Sequence, residues 1–155
     1  MRTAGARTFA MTDIISYAPE HFEGVDRLWS EAFPDDPPWN RADAAIPAKM
    51  KVQPDLLLVA VEDGTVAGSI MAGYDGHRGW LYAVAVLKTH QRRGIGAALV
   101  REAELRLQAL GCTKVNLQVR STNASVVGFY KELGYAVEER VSLGKCLPTC
   151  TGSPR

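Results

Sequence analysis

The stretch from residue 80 to 111 constrains this chain more than any other. An apolar run ends in Val84-Ala85-Val86-Leu87, and a polar loop follows, Lys88-Thr89-His90-Gln91-Arg92-Arg93. Gly94-Ile95-Gly96 then opens a segment in which Ile95, Leu99, Ala103, Leu107 and Leu110 recur at helical spacing, closed by Gly111. A buried strand running through a short turn into a long amphipathic helix needs a second strand to return to. Residues 114–120 supply it, and a strand–helix–strand path of this length makes a parallel crossover.

The rest of the chain surrounds that unit. Residues 13–18 read as a strand. Phe22, Val25, Leu28, Trp29, Ala32 and Phe33 fall on one helix face, and Pro34-Asp35-Asp36-Pro37-Pro38 ends it. A weaker helix is expected over 41–52, interrupted by Pro47. Residues 56–62 and 65–74 read as a hairpin joined by Asp63-Gly64, a strong two-residue turn signal. Residues 80–87 add a third strand. Asn123 is a good N-cap for a helix over 124–133, Gly134 ends it, and residues 135–143 are expected to give one or two final strands.

The order is β α (α) β β β α β α β. The fold class is α/β (α+β), a mixed, mostly antiparallel central sheet with helices on both faces. At 155 residues one domain is expected, over 11–147, with a core that needs no staple. Residues 1–10 read as an N-terminal extension, since Met11 is a second candidate start. Residues 148–155 read as a frayed tail.

Eighteen Lys and Arg against seventeen Asp and Glu leave a net charge of +1, which argues against a general nucleic-acid binder. No apolar run reaches the length of a membrane helix, and the first ten residues lack the apolar core of a secretory signal. The three cysteines, Cys112, Cys146 and Cys150, are an odd number and not a disulfide framework; reduced thiols in a cytoplasmic protein are expected. Cys146 and Cys150 have no second Cys or His pair to complete a metal site, so no metal is expected.

The loop and helix start carry the chemistry. A helix N-terminus presents free N–H groups and a partial positive charge, which suits an anion. Gly94 and Gly96 remove side chains from its approach. Lys88, Arg92 and Arg93 add charge, with no acid among residues 88–93. These features point to a phosphate or pyrophosphate; a plain tight turn is the other reading of the same residues. The Walker pattern fails because Ala97-Ala98 stand where a lysine and hydroxyl are needed. The dinucleotide pattern fails for want of a third glycine and a following acid.

Gln91-Arg92-Arg93-Gly94-Ile95-Gly96 resembles the Gln/Arg-x-x-Gly-x-Gly/Ala motif of the GNAT superfamily of N-acetyltransferases. Asn123-Ala124 and Phe129-Tyr130-Lys131-Glu132-Leu133-Gly134-Tyr135 resemble that family's second signature, about 30 residues on, and the likeness spans residues 14–147. Pro38-Trp39-Asn40, residues 73–79 and Ser142-Leu143-Gly144-Lys145 look most like the small bacterial YpeA-type acetyltransferases, with a RimI-like core.

The resemblance implies acetyl-CoA as cosubstrate and a primary amine as acceptor, a small molecule or a peptide, with a homodimer one assembly open to it. It implies a pantetheine arm along Val84, Ala85 and Val86, where two parallel strands splay. The pyrophosphate would lie on the amides of Arg92, Arg93, Gly94, Ile95, Gly96 and Ala97, next to Gln91. Asn123 would contact the pantetheine or phosphate end. Tyr130 would lie near the sulfur as catalytic acid. One departure bears on mechanism: Gln118 stands where RimI-like relatives carry a glutamate proposed as base. A water wire, Asp75, His77 and Glu139 remain as base candidates. Trp39, Trp80 and His77 could line an acceptor pocket or serve as ordinary strand and turn residues. A protein N-terminal or lysine acceptor, and a non-catalytic acyl-CoA sensor, are the alternatives.

Overall fold

The computed structural model describes residues 11–149. Among them, β1 (Thr12–Ser16), β2 (Leu57–Glu62), β3 (Thr65–Tyr74), β4 (Gly79–Val86) and β5 (Val115–Leu117) form one sheet in sequential order. The first four strands pair antiparallel, and β5 lies parallel to β4. The helices are α1 (Phe22–Ala32), α2 (Ala42–Lys49), α3 (Ile95–Ala109) and α4 (Ser125–Glu132). This is the expected α/β architecture. Asp63 and Gly64 have φ of 50° and 75°, the left-handed pair that lets a tight turn join β2 to β3.

Each face of the sheet has its own core. Val25, Leu28 and Trp29 of α1, with Ala42 and Ile46 of α2, pack on Leu57, Val59, Val66 and Ala85. On the other face Ile95, Leu99, Val100, Ala103 and Leu107 of α3 meet Leu58, Ala60, Ala67, Ile70 and Leu81. The strand residues alternate between the two faces, as the pleat requires. β2 and β3, covered on both sides, are correspondingly apolar almost throughout.

Four expectations change. The strand foreseen over 114–120 is only Val115–Leu117. The strands foreseen over 135–143 do not form; that segment carries no strand pairing, and Val137, Val141 and Leu143 are exposed. Its links to β5 and its flanks are between side chains: Lys114 Nζ to Glu138 Oε2 at 2.6 Å, Asn116 Nδ2 to Glu138 Oε1 at 2.5 Å and Gln118 Nε2 to Ser142 Oγ at 2.5 Å. No backbone hydrogen bond joins the two segments among the described residues, so these contacts do not make a ladder. Asn123 does not cap α4; it sits in a 3₁₀ turn, Ser121–Asn123, and Ala124 takes the cap position without a side-chain bond. Cys146 is disulfide-bonded, against the expectation of reduced thiols, while buried Cys112 is free. The foreseen extension 1–10, and the tail from 150 onward, lie outside the described residues.

Candidate functional site: an open strand edge beside a helix N-terminus

β4 and β5 pair only through Gly79↔Val115, Trp80↔Asn116 and Leu81↔Leu117. β4 continues to Val86, so its edge past Leu81 has no strand partner on the β5 side. The parity of the opposite edge tells which groups face the gap. Leu87 N–H bonds to Ala67 O at 2.8 Å, Val86 lies opposite Gly68 and Ala85 opposite Ser69. Bonded and non-bonded pairs alternate along an antiparallel ladder. Ala85 therefore directs its peptide groups at β3, and Val86 directs its own into the gap. Gln91 Nε2 donates to Val86 O at 3.2 Å, which leaves the Val86 N–H as an open donor there.

β4 reaches this arrangement through a bulge. Between Ser69↔Ala85 and Met71↔Tyr82, β3 has only Ile70 while β4 has Ala83 and Val84. Ala83 takes a φ of 49°, unusual for a residue with a side chain. Nothing in β4 itself marks it, because no glycine stands at the offset.

At the end of β4 the loop turns into α3. Gly94 is the N-cap, with φ 80°, and Arg92 has φ 64°. Arg93 between them has no positive φ, and left-handed residues alternating with ordinary ones can turn successive backbone N–H groups toward one point, the nest geometry that binds anions. The first helical bond runs from Ala98 N–H to Gly94 O at 3.0 Å. The amides of Ile95, Gly96 and Ala97 thus have no helical acceptor. The two glycines differ in role. A Cβ on Gly94 would touch nothing within 4 Å, so backbone conformation alone selects glycine there. A Cβ on Gly96 would stand 3.2 Å from Phe129 Cζ and 3.7 Å from Val86 Cγ2. Gly96 therefore lets α3 approach Phe129 of α4 closely, while the distance to Val86 is an ordinary contact.

The arginines also divide. Arg93 Nη1 pairs with Glu62 Oε1 at 2.9 Å, and that buried carboxylate also accepts from Thr12 Oγ1 at 2.9 Å. His90 Nε2 stands 3.9 Å from the same oxygen. Arg93 thus ties the loop to β1 and β2. Arg92 is exposed and has no such tie. Lys88 N–H reaches Glu31 Oε2 of α1 at 3.3 Å.

Tyr130 of α4 is 8% exposed, its ring 5.0 Å from Phe129 and 5.9 Å from Tyr135 between centroids. Burial raises its phenol above the ordinary 10.0, and no hydrogen bond contributes. It lines a cleft of about 1270 Å³ between β5 and the 135–142 segment, with Leu117, Gln118 and Val119 opposite. Just past β5, Arg120 Nη2 pairs with Asp36 Oδ1 at 2.7 Å, joining the α1–α2 connection to the segment that follows the strand. Burial raises the Asp36 carboxyl and Arg120 partly offsets it.

Other base candidates have settled partners or open surroundings. Asp75 Oδ1 accepts the N–H groups of His77 and Arg78, both at 2.7 Å, which holds its carboxyl below the usual range. It and His77 build the β3–β4 turn. Glu139 is exposed, and Gln118 donates to Ser142. Trp39 is 37% exposed on the α1–α2 connection, while Trp80 lies half-buried in β4.

The family model for the acetyltransferase (GNAT) family matches residues 10–135. The chain belongs to the GNAT acetyltransferase family. An acetyltransferase of Pectobacterium atrosepticum is 41% identical over 137 residues, covering 87% of this chain and 95% of that protein. An acetyltransferase of Yersinia pestis (strain Pestoides F) is 40% identical with the same coverage. Among solved structures, aminoglycoside N-acetyltransferase AAC(6')-Iy in complex with CoA superposes with a TM-score of 0.74 at 21% identity, covering 90% of this chain and 97% of that one. Ard1 from Thermoplasma volcanium gives 0.74 at 23% identity, covering 82% and 84%. This GNAT chain is accordingly an acetyltransferase. Of the residues the sequence singled out, Val86, Gln91, Arg92, Gly94, Ile95, Gly96 and Ala97 gather at the β4–α3 junction, and Tyr130 of α4 is buried in the core cluster that holds Ile95 and Leu99. Ala83, Glu62 and the Asp36–Arg120 pair were not legible beforehand.

Proposed function

We propose that the chain transfers an acetyl group from acetyl-CoA to the nitrogen of a primary amine, by direct attack while both substrates are bound. The observation that carries this reading is the unpaired Val86 N–H in the β4–β5 splay, one loop away from the free amides of α3. A pantetheine amide can pair with the open β4 edge at residues 84–86, and a pyrophosphate can accept from the amides at residues 92–97. Arg92 adds charge beside it, and Asn123, at the start of the α4 turn, is offered to the pantetheine or phosphate end.

The acceptor enters as a neutral amine. Its nitrogen lone pair attacks the thioester carbonyl carbon, and the carbonyl electrons move onto oxygen. The Val86 N–H stabilises that oxyanion, a contribution that grows as charge develops. The C–S bond then breaks, and the thiolate takes a proton from the Tyr130 hydroxyl. The nitrogen loses its extra proton to water, since Gln118 has no basic atom to receive it. The Tyr130 phenolate is reprotonated from solvent. Burial of Tyr130 favours its neutral form, which is the form the step needs.

The test is calorimetry with acetyl-CoA followed by a free-thiol assay over small amines, peptide N-termini and lysine peptides. Binding together with amine-dependent thiol release is expected. Binding without release from any acceptor class would leave an acyl-CoA sensor. Absence of binding would overturn the reading of the site.

A further inference from the structure

We propose that Ser69 and Trp29 are positioning residues for acetyl transfer: their side chains form a buried clamp that holds the β4 bulge at Ala83 and so aims the Val86 N–H into the splay. The proposal rests on the acetyltransferase reading above. Ser69 is completely buried in β3 and Trp29 is 5% exposed in α1. The Trp29 Nε1–H donates to Ser69 Oγ at 2.8 Å, and the Ser69 hydroxyl donates to Ala83 O at 2.9 Å. Ser69 stands in a strand whose neighbours Ala67, Gly68, Ile70 and Ala72 are apolar or bare. A hydroxyl there costs stability unless both its proton and its lone pair are used, and here both are.

The acceptor of that hydroxyl is what gives the contact a function. Ala83 lies at φ 49°, a conformation that residues with a Cβ avoid. Ala83 is partly buried and packs against the cluster that holds Leu57, Val59 and Trp29. The Ser69 hydroxyl satisfies the Ala83 carbonyl, and the Trp29 indole fixes the hydroxyl's direction. The bulge places one extra residue in β4, and a shift of one residue reverses which way every later peptide group points. Without it, Val86 would direct its N–H at β3 and Ala85 would face the gap. The clamp therefore acts through backbone direction, at a distance from the reacting atoms.

The experiment compares wild type with Ser69→Ala, Trp29→Phe and the double variant. Amide exchange and chemical shifts at residues 83–86 are read by NMR, thermal midpoints are measured, and kcat and KM for acetyl-CoA are taken with a productive amine. Ser69→Ala is expected to stay folded at the assay temperature, to speed exchange at residues 83–86 selectively, and to lower kcat by about tenfold while KM moves less than about threefold, since the aimed donor acts mainly in the transition state. Trp29→Phe, which keeps the hydroxyl, should lose less. The double variant should be no slower than Ser69→Ala, because the indole acts only through the hydroxyl. A Ser69→Ala protein with a lowered thermal midpoint but unchanged kcat and unchanged amides at residues 83–86 would reduce the clamp to a core contact and overturn the proposal. Should Ser69→Ala fail to fold, unchanged amides and kcat in Trp29→Phe overturn it equally. If wild type acetylates no amine, the functional reading fails on its own, and the amide measurements still decide whether the clamp holds the bulge.

Discussion

Replacing Gly94 isolates backbone conformation from every other property of the loop. A Cβ there meets nothing within 4 Å, so Gly94→Ala introduces no clash and removes no contact. What changes is the cost of φ 80°. For a residue with a side chain the left-handed region costs roughly 1–2 kcal/mol. In a domain of this size each 1 kcal/mol moves the thermal midpoint by about 2–4 °C, so Gly94→Ala should lower it by about 2–8 °C. Asparagine tolerates that region better, and Gly94→Asn should lose less. The same substitution should weaken CoA, because the chain can relieve strain by turning the cradle amides away from the pyrophosphate. Gly96→Ala is the contrast. Its Cβ would press on Phe129 at 3.2 Å, a fault of packing with ordinary φ. Differential scanning fluorimetry and calorimetry with CoA read both effects. A Gly94→Ala protein that melts and binds CoA like wild type, or a Gly94→Asn protein less stable than Gly94→Ala, would refute the argument.

Tyr130→Phe removes one oxygen and little packing, so kcat should fall by about 10²–10⁴-fold with KM for acetyl-CoA nearly unchanged; retention of most of kcat with chemistry rate-limiting would remove it from the mechanism. Because burial raises its phenol above 10.0, the acid form persists through neutral pH, and the kcat profile should show no alkaline fall from this group below about pH 10. Arg92→Ala should flatten the salt dependence of CoA affinity more than Arg93→Ala does, since Glu62 already holds the Arg93 guanidinium; equal effects in calorimetry at two ionic strengths would count against that division. Arg120→Ala should move the Asp36 titration further upward, because it removes the one opposing charge and leaves the burial that raises it; an unchanged midpoint by NMR would show that the ion pair does not persist in solution.

Much of this fold could be read from residue order because its elements carry independent signals that agree. The β2–β3 hairpin rests on Asp63-Gly64 between two apolar runs, and α3 on an apolar stripe ended by Gly111; both form where expected. Residues 135–143 show the opposite case. Their apolar residues suit a strand, but a strand exists only when another offers its edge. β5 stops pairing at Leu117, and the later segment meets it through side chains alone, as in the Lys114–Glu138 pair. Alternation describes one chain segment, whereas pairing belongs to two, so the pattern could not foresee that outcome.

The same asymmetry governs the site. The anion cradle was legible because glycine at a helix start is a local requirement, and Gly94 meets it with its own φ. The open donor at Val86 was not, because its direction depends on how many residues β3 and β4 each spend between two shared pairs. That count is invisible in β4 alone, and alanine at the bulge leaves no trace. A buried serine midway along an apolar strand is the nearest thing to a signal. Ser69 has no reason to interrupt residues 66–72 unless a neighbouring backbone has a carbonyl to be satisfied. A lone hydroxyl among apolar strand residues therefore points to irregular backbone on the adjoining strand, and here that irregularity turns a strand's peptide group into a candidate part of the acetyl-transfer machinery.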